Sequence, residues 1–150
     1  MAEIKGGTKL AAKLAQIASG LSKPADLAVG FLAGATYPDK NGTPVAMVAA
    51  IQNFGAPSRN IPPRPFFTNM VADKSPGWPD AIVANLKATG YDAERTMKLV
   101  GEGIKGQLQQ SIRDTNSPPL AESTIRKKGF SKPLIETSQL IDSVDYEVTT

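Results

Sequence analysis

The first periodic segment of the chain is Thr8–Leu21, where apolar residues recur every three or four positions. This spacing places them on one face of an α-helix, with the lysines on the other face. Thr8 is a suitable N-cap, because its hydroxyl can accept a backbone N–H of the first turn. We therefore predict an amphipathic helix whose apolar stripe comprises Leu10, Leu14, Ile17, Ala18 and Leu21.

The longest periodic segment is Asp92–Asp114, which predicts a long helix capped by Asp92. Its apolar face comprises Met97, Val100, Ile104, Leu108 and Ile112. The sequence GEGIKG at Gly101–Gly106 matches G-x-G-x-x-G, but a dinucleotide site needs a strand before the motif and a helix that begins at it. Here the motif lies within the helical pattern, so we do not expect nucleotide binding. Close approach of another helix, or a break into two helices, would explain the glycines.

Two apolar runs, Leu27–Ala35 and Pro44–Phe54, flank the sequence YPDKNGT. The Asp, Asn and Gly residues of that sequence favour turns, so the pair predicts a β-hairpin. The second run is also rich in alanine, which leaves a helix open there.

Further elements follow from shorter patterns and from proline. Short helices are predicted at Phe66–Asp73 and Pro79–Ala88, and NSPPL at Asn116–Leu120 interrupts the chain. Beyond it we predict two short helices and a terminal strand, at Ala121–Lys128, Thr137–Val144 and Asp145–Thr149. The expected fold class is α+β, with a small antiparallel sheet (the hairpin plus the C-terminal strand) packed against several helices, one of them long. A chain of 150 residues fits a single domain, 1–150.

The segment from 55 to 65 is a proline-rich arm that leads into Phe66 and Phe67. Proline fixes φ and biases the preceding residue towards extended geometry, so the arm is stiff. Arg64 presents a planar fork of donors suited to carboxylates or carbonyls. We expect the arm to contact a neighbouring subunit or partner, or to pin the hairpin to a helix, through Ile61, Pro62, Pro63, Arg64, Pro65, Phe66 and Phe67.

Composition argues against an enzyme. The chain contains no cysteine and no histidine, so it lacks a thiolate nucleophile, the usual general base near neutral pH and the commonest metal ligand. No pair of carboxylates stands in a context typical of acid–base work. We expect no catalytic residue, no cofactor and no metal.

The charge is unevenly spread along the chain. Residues 1–75 carry eight Lys and Arg against four Asp and Glu, whereas residues 76–150 carry nine against ten. A nucleic-acid binder would more often show a clustered basic face, and head-to-tail contact between copies with surfaces of opposite charge is equally compatible with this asymmetry. The basic cluster Arg126, Lys127, Lys128 and Lys132 is either a solvated helix end or a surface facing DNA or an acidic partner.

The stretch VAAIQNFGAPSRNIPPRPFFTNMV (Val48–Val71) resembles the A-x-x-x-E-F-G … I-P-x-R-P-F signature of tailed-phage neck proteins. SPPLAESTIRKKGFSKPLIETSQLIDSV (Ser117–Val144) resembles the P-L-x-x-x-T-I-x-x-K-G … K-P-L-x-x-T-G-x-L-x-x-S-I ending of the same family. This family comprises head–tail joining, tail-completion and minor tail proteins. Asn53 stands where the family often has glutamate, and Ser138 where it often has glycine, so an ion pair to Arg64 is not carried over.

The resemblance implies a structural virion protein of the neck, located in the virion and, during assembly, in the host cytoplasm. Its expected partners are copies of itself in a ring, hexameric on the family pattern, and the adjoining connector, tail-tube or terminator proteins. DNA would cross the ring without sequence-specific binding, and no membrane contact is expected. The alternatives are a tail terminator or assembly factor and, in another class, a small adaptor or DNA-binding module.

Overall fold

The computed structural model describes residues 5–38, 41–115 and 139–150. The chain folds as α+β, as the sequence predicted, and its long helix spans Ala93–Asp114. Within the described ranges the elements are α1 (Gly7–Gly20), β1 (Asp26–Phe31), α2 (Val45–Phe54), α3 (Phe66–Lys74), α4 (Trp78–Ala88), α5 (Ala93–Asp114), α6 (Gln139–Asp142) and β2 (Val144–Thr149).

The predicted hairpin is wrong, because its second run forms α2 instead of a strand. Val45, Ala49 and Asn53 recur every four residues and are the buried residues of this helix, whereas Met47, which a strand would place on the same face, is exposed. The alanines of the run favour a helix once that face can be buried. The chain still reverses as expected before α2, since the Tyr37 N–H donates to Thr43 O at 2.8 Å.

Strand β1 pairs with the C-terminal strand β2 in an antiparallel sheet, with Asp26 opposite Thr149 and Phe31 opposite Val144. One face of this sheet packs against α5, which also contacts α3 and α4. A Cβ placed on Gly101 would lie 2.6 Å from Tyr146 Cδ2, so glycine lets β2 approach α5 closely.

Among the described residues, the glycine motif has a packing role at Gly101. Helix α5 is continuous through it, so the predicted alternative of a break is wrong, and no nucleotide-binding turn forms. Side chains of the sheet, not another helix, approach Gly101. A Cβ added at Gly103 or Gly106 would meet no atom of the described residues within 4 Å.

The hydrophobic core joins the inner faces of α2, α3, α5 and the C-terminal segment. Phe31 and Phe66 pack edge to face, with ring centroids 6.2 Å apart. Leu108 and Ile112 of α5 are fully buried. The buried cluster comprises Val45, Ala49, Phe66, Met70, Leu108, Ile112, Leu140, Ile141 and Val144.

Helix boundaries agree with most predictions. The cap at Asp92 is confirmed, because its Oδ1 accepts the Arg95 N–H at 3.0 Å. The cap at Thr8 is wrong, since α1 begins at Gly7 after Gly6, which has a left-handed φ and no capping side chain. The predicted NSPPL break and the helix at Ala121–Lys128 lie outside the described residues.

Candidate assembly interface

The proline arm folds back on its own chain. Residues 57–59 form a short 3-10 helix, and Ala56 and Ile61 exchange two backbone hydrogen bonds, of 2.8 and 3.1 Å, across it. Gly55, with φ +76°, ends α2 where a Cβ would lie 2.8 Å from both Ile61 O and Pro63 N. The arm thus crosses back over the C-terminal end of α2, and glycine is required for that crossing.

Arg64 is used inside this chain. It is only 6% exposed, its N–H donates to Gln52 O at 2.7 Å, and its Nη1 donates to Gln52 Oε1 at 3.1 Å. Burial lowers the pKa of the guanidinium, which remains protonated at physiological pH because its ordinary value is so high. Arg64 therefore fixes the end of α2 to the start of α3.

The interface candidates divide into inward and outward residues. Phe66 is 1% exposed and, like Arg64, belongs to the interior. Pro62 and Pro63 are exposed. The half-buried members are Ile61, Pro65 and Phe67. A partner that contacts the arm would therefore meet a proline surface, not the arginine fork.

Asn53 is a residue whose role the sequence did not reveal. Its Oδ1 accepts the N–H groups of Phe67 at 3.0 Å and Thr68 at 3.2 Å. These are orphan donors in the first turn of α3, whose own N-cap, Pro65, offers no capping side chain. Asn53 Nδ2 is buried without a hydrogen-bond partner among the described residues. Position 53 supplies an oxygen acceptor at the positive, N-terminal end of α3, and a carboxylate at this position would do the same.

An apolar groove runs along the edge of β1 that does not pair with β2. One cavity of about 320 Å³ is lined by the consecutive residues 28–32 together with Ala46 and Phe67. Consecutive residues point to opposite faces of a strand, so a cavity that touches all of them lies beside the strand edge. A second cavity of about 370 Å³ shares Val29 and Phe67 with the first and continues towards α4 and α5. We call the two together the β1 groove; among its lining residues are Leu27, Val29, Ala46, Phe67, Ile82 and Met97.

The shifted pKa values of Lys98, Lys105 and Asp145 belong to partly exposed ion pairs, whereas burial is the first cause that raises the pKa of Tyr146. Lys105 Nζ lies 3.1 Å from Asp145 Oδ1, which also accepts the Tyr146 N–H at 2.9 Å. The Tyr146 N–H, and then Lys105, lower the pKa of Asp145, while the hydrogen bond to Asp145 raises the pKa of Lys105. Such pairs in solvent contribute little to stability, and they give no support for acid–base catalysis.

The described residues give little support for a metal site or a membrane-spanning helix. Across residues 5–38, 41–115 and 139–150, no three acidic side chains are placed to hold a metal ion. None of the described helices combines the length and apolarity needed to cross a bilayer. The basic candidates Arg126, Lys127, Lys128 and Lys132 lie outside the described residues. The absence of enzyme activity stays a prediction.

The described residues thus present exposed prolines on the arm and an apolar groove along β1. Compared with known proteins, the chain matches no protein-family model, no curated protein sequence and no solved structure.

Proposed function

We propose that this protein is a structural component of a tailed-phage neck, which joins the capsid connector to the tail as one subunit of a ring around the DNA channel. The observation that carries the proposal is the pair of signatures at Val48–Val71 and Ser117–Val144, which occur in the order typical of tail-completion proteins.

The packing of the first signature is consistent with a scaffold role. Its Arg64 and Phe66 are buried in the joint between α2 and α3, where Gln52 and Asn53 bind the arm and the following helix. Side chains whose hydrogen-bonding groups are used between two helices are not available to bind a substrate. The signature would then specify the shape of a subunit.

Uncovered apolar surface also supports assembly. Leu10, Leu14, Met47 and Phe54 are between 48% and 69% exposed. Apolar surface of this kind on a monomer is typical of protein interaction sites. A ring subunit has two neighbours in the ring and further partners above and below it, so it needs several such surfaces.

The experiment is electron microscopy of a lysate from phage that lack this gene. We expect full heads and finished tails that remain separate, and purified protein added to the lysate should restore joined, infectious particles. Tails of abnormal length would instead indicate the terminator role. Normal joined particles without the protein would overturn the proposal.

A DNA-binding adaptor is the second candidate. Residues 5–25 carry four lysines and no Asp or Glu, which would suit a polyanion. Duplex binding by the purified protein that weakens steeply with added salt would favour this candidate. Binding that is absent at low salt would remove it.

A further inference from the structure

Helix α1 has an apolar face that no described residue buries. Leu10 is 61% exposed, Leu14 57% and Leu21 46%. The helix is held at its C-terminal end, where Gly20 lies so close to Tyr91 that a Cβ would overlap the Tyr91 carbonyl. Its stripe is therefore presented outside the core of its own chain.

The β1 groove is the complementary surface. None of the described residues that line its two cavities is charged. The edge of β1 that faces it makes no backbone hydrogen bond among the described residues. An open, uncharged strand edge is an aggregation risk that proteins commonly control by covering it with a helix or a loop.

We propose that α1 of one copy lies in the β1 groove of the next copy. The stripe from Leu10 to Leu21 is about 17 Å long at the rise of an α-helix, and β1 from Asp26 to Phe31 is also about 17 Å long at the rise of a strand. One helix therefore covers the whole edge. The α1 stripe and the β1 groove are different surfaces of the same chain, so the contact is head to tail and can close into a ring.

Complementary charges determine the orientation of α1 in the β1 groove of the neighbouring copy. Lys9 and Lys13 follow one flank of the α1 stripe at a spacing of four residues, whereas the other flank carries alanines. Asp26 and Glu147 lie on the sheet face that points away from α5, and they are diagonal neighbours in the register. Neither these acids nor these lysines form an ion pair within residues 5–38, 41–115 and 139–150. The lysine flank of α1 therefore faces the sheet of the neighbouring copy, and the alanine flank lies deeper in the groove.

The first experiment compares Leu14→Glu with Ala12→Glu, using ultracentrifugation over a range of protein concentrations. Both substitutions add one negative charge to α1, but Ala12 lies on the face opposite the stripe. We expect the wild type and Ala12→Glu to associate, and Leu14→Glu to remain monomeric with unchanged circular dichroism, because α1 buries no residue in its own chain.

The second experiment tests the head-to-tail geometry with Ala46→Arg, which fills the groove at an exposed position of α2. Ala46→Arg keeps a functional α1, and Leu14→Glu keeps a functional groove. Each variant alone should be monomeric. An equal mixture should form heterodimers and no larger species, since the only intact contact joins α1 of Ala46→Arg to the groove of Leu14→Glu. A mixture that stays monomeric would show that these two surfaces do not bind each other.

The α1 contact rests on the proposed function, because it takes the neighbouring subunit of the ring as the partner. Experiments can still disprove the contact and the neck function separately. Leu14→Glu that associates like the wild type, or a wild type that stays monomeric at all concentrations, overturns the α1 contact. In the add-back assay, Leu14→Glu should fail to join heads and tails. If it joins them as well as the wild type, the contact is wrong and the neck function stands; if the wild type joins none, the neck function is wrong.

Discussion

Helices α1 and α5 repeat apolar side chains at the same helical spacing, but they use them in opposite ways. The α5 stripe contains Leu108 and Ile112, both 0% exposed, whereas the α1 stripe contains Leu10 and Leu14, both more than half exposed. The first turn differs too, since Asp92 caps α5 and no side chain caps α1. The periodicity shows that each helix has an apolar face. Only the arrangement of the other elements shows whether the same chain buries that face.

The largest expected effect comes from truncating one leucine in each stripe. Leu108→Ala should lower the free energy of unfolding by about 2–5 kcal/mol, because it leaves a cavity in a closed core. Leu14→Ala should change it by less than about 0.5 kcal/mol, because the site is exposed in the monomer. Urea unfolding at low protein concentration measures both. Similar losses for the two variants would mean that α1 packs within its own chain.

The glycines of α5 sharpen the contrast between a packed and an open surface on a single helix. Gly101→Ala should destabilise the fold by about 1–3 kcal/mol, because the new methyl group would overlap the ring of Tyr146. Gly103→Ala should stabilise it by about 0.5–1 kcal/mol, because alanine is the better helix former and meets no neighbour there. Thermal unfolding of the two variants should give shifts of opposite sign, and a destabilising Gly103→Ala would contradict the open surface.

The helix ends extend the comparison, since α3 receives from α2 the cap that α1 lacks. Asn53→Ala should lower the free energy of unfolding by about 1–2 kcal/mol, because it removes the side-chain acceptor of two part-buried N–H groups in the first turn of α3. Asn69→Ala, at an exposed position of α3 itself, is the matched control and should have little effect. Equal effects in urea unfolding would show that the Asn53 contacts contribute nothing.

Short-range sequence pattern was sufficient to predict the helices and strands that depend mainly on their own residues. The spacing of apolar residues predicted α1 and α5 to within a residue, and shorter patterns predicted α3, α4 and the terminal strand β2 to within a residue as well. The same reasoning failed for the run from 44 to 54, which is apolar on nearly every side. Such a run suits a buried strand or an alanine-rich helix equally well, and its neighbours decide between them.

The candidate interface was predictable only in part. Prolines identified the arm, but they do not indicate which of its residues face inward, and Arg64 and Phe66 turned out to be interior. Asn53 gave no signal, because a short polar residue in an apolar run has many possible roles. Its contacts with Phe67 and Thr68 depend on how α2 and α3 meet.

The sequence by itself determined the helical faces, the cap of α5, the stiff proline arm and the lack of cysteine and histidine chemistry, because each depends on a residue and its near neighbours. Tertiary structure alone decided that β1 pairs with β2, at the opposite end of the chain, and that Gly101 is needed where the sheet meets α5. It also decided that no described residue covers the α1 stripe or the β1 groove. These outcomes depend on which surfaces meet across long sequence separations, and that is set by the packing of the whole chain.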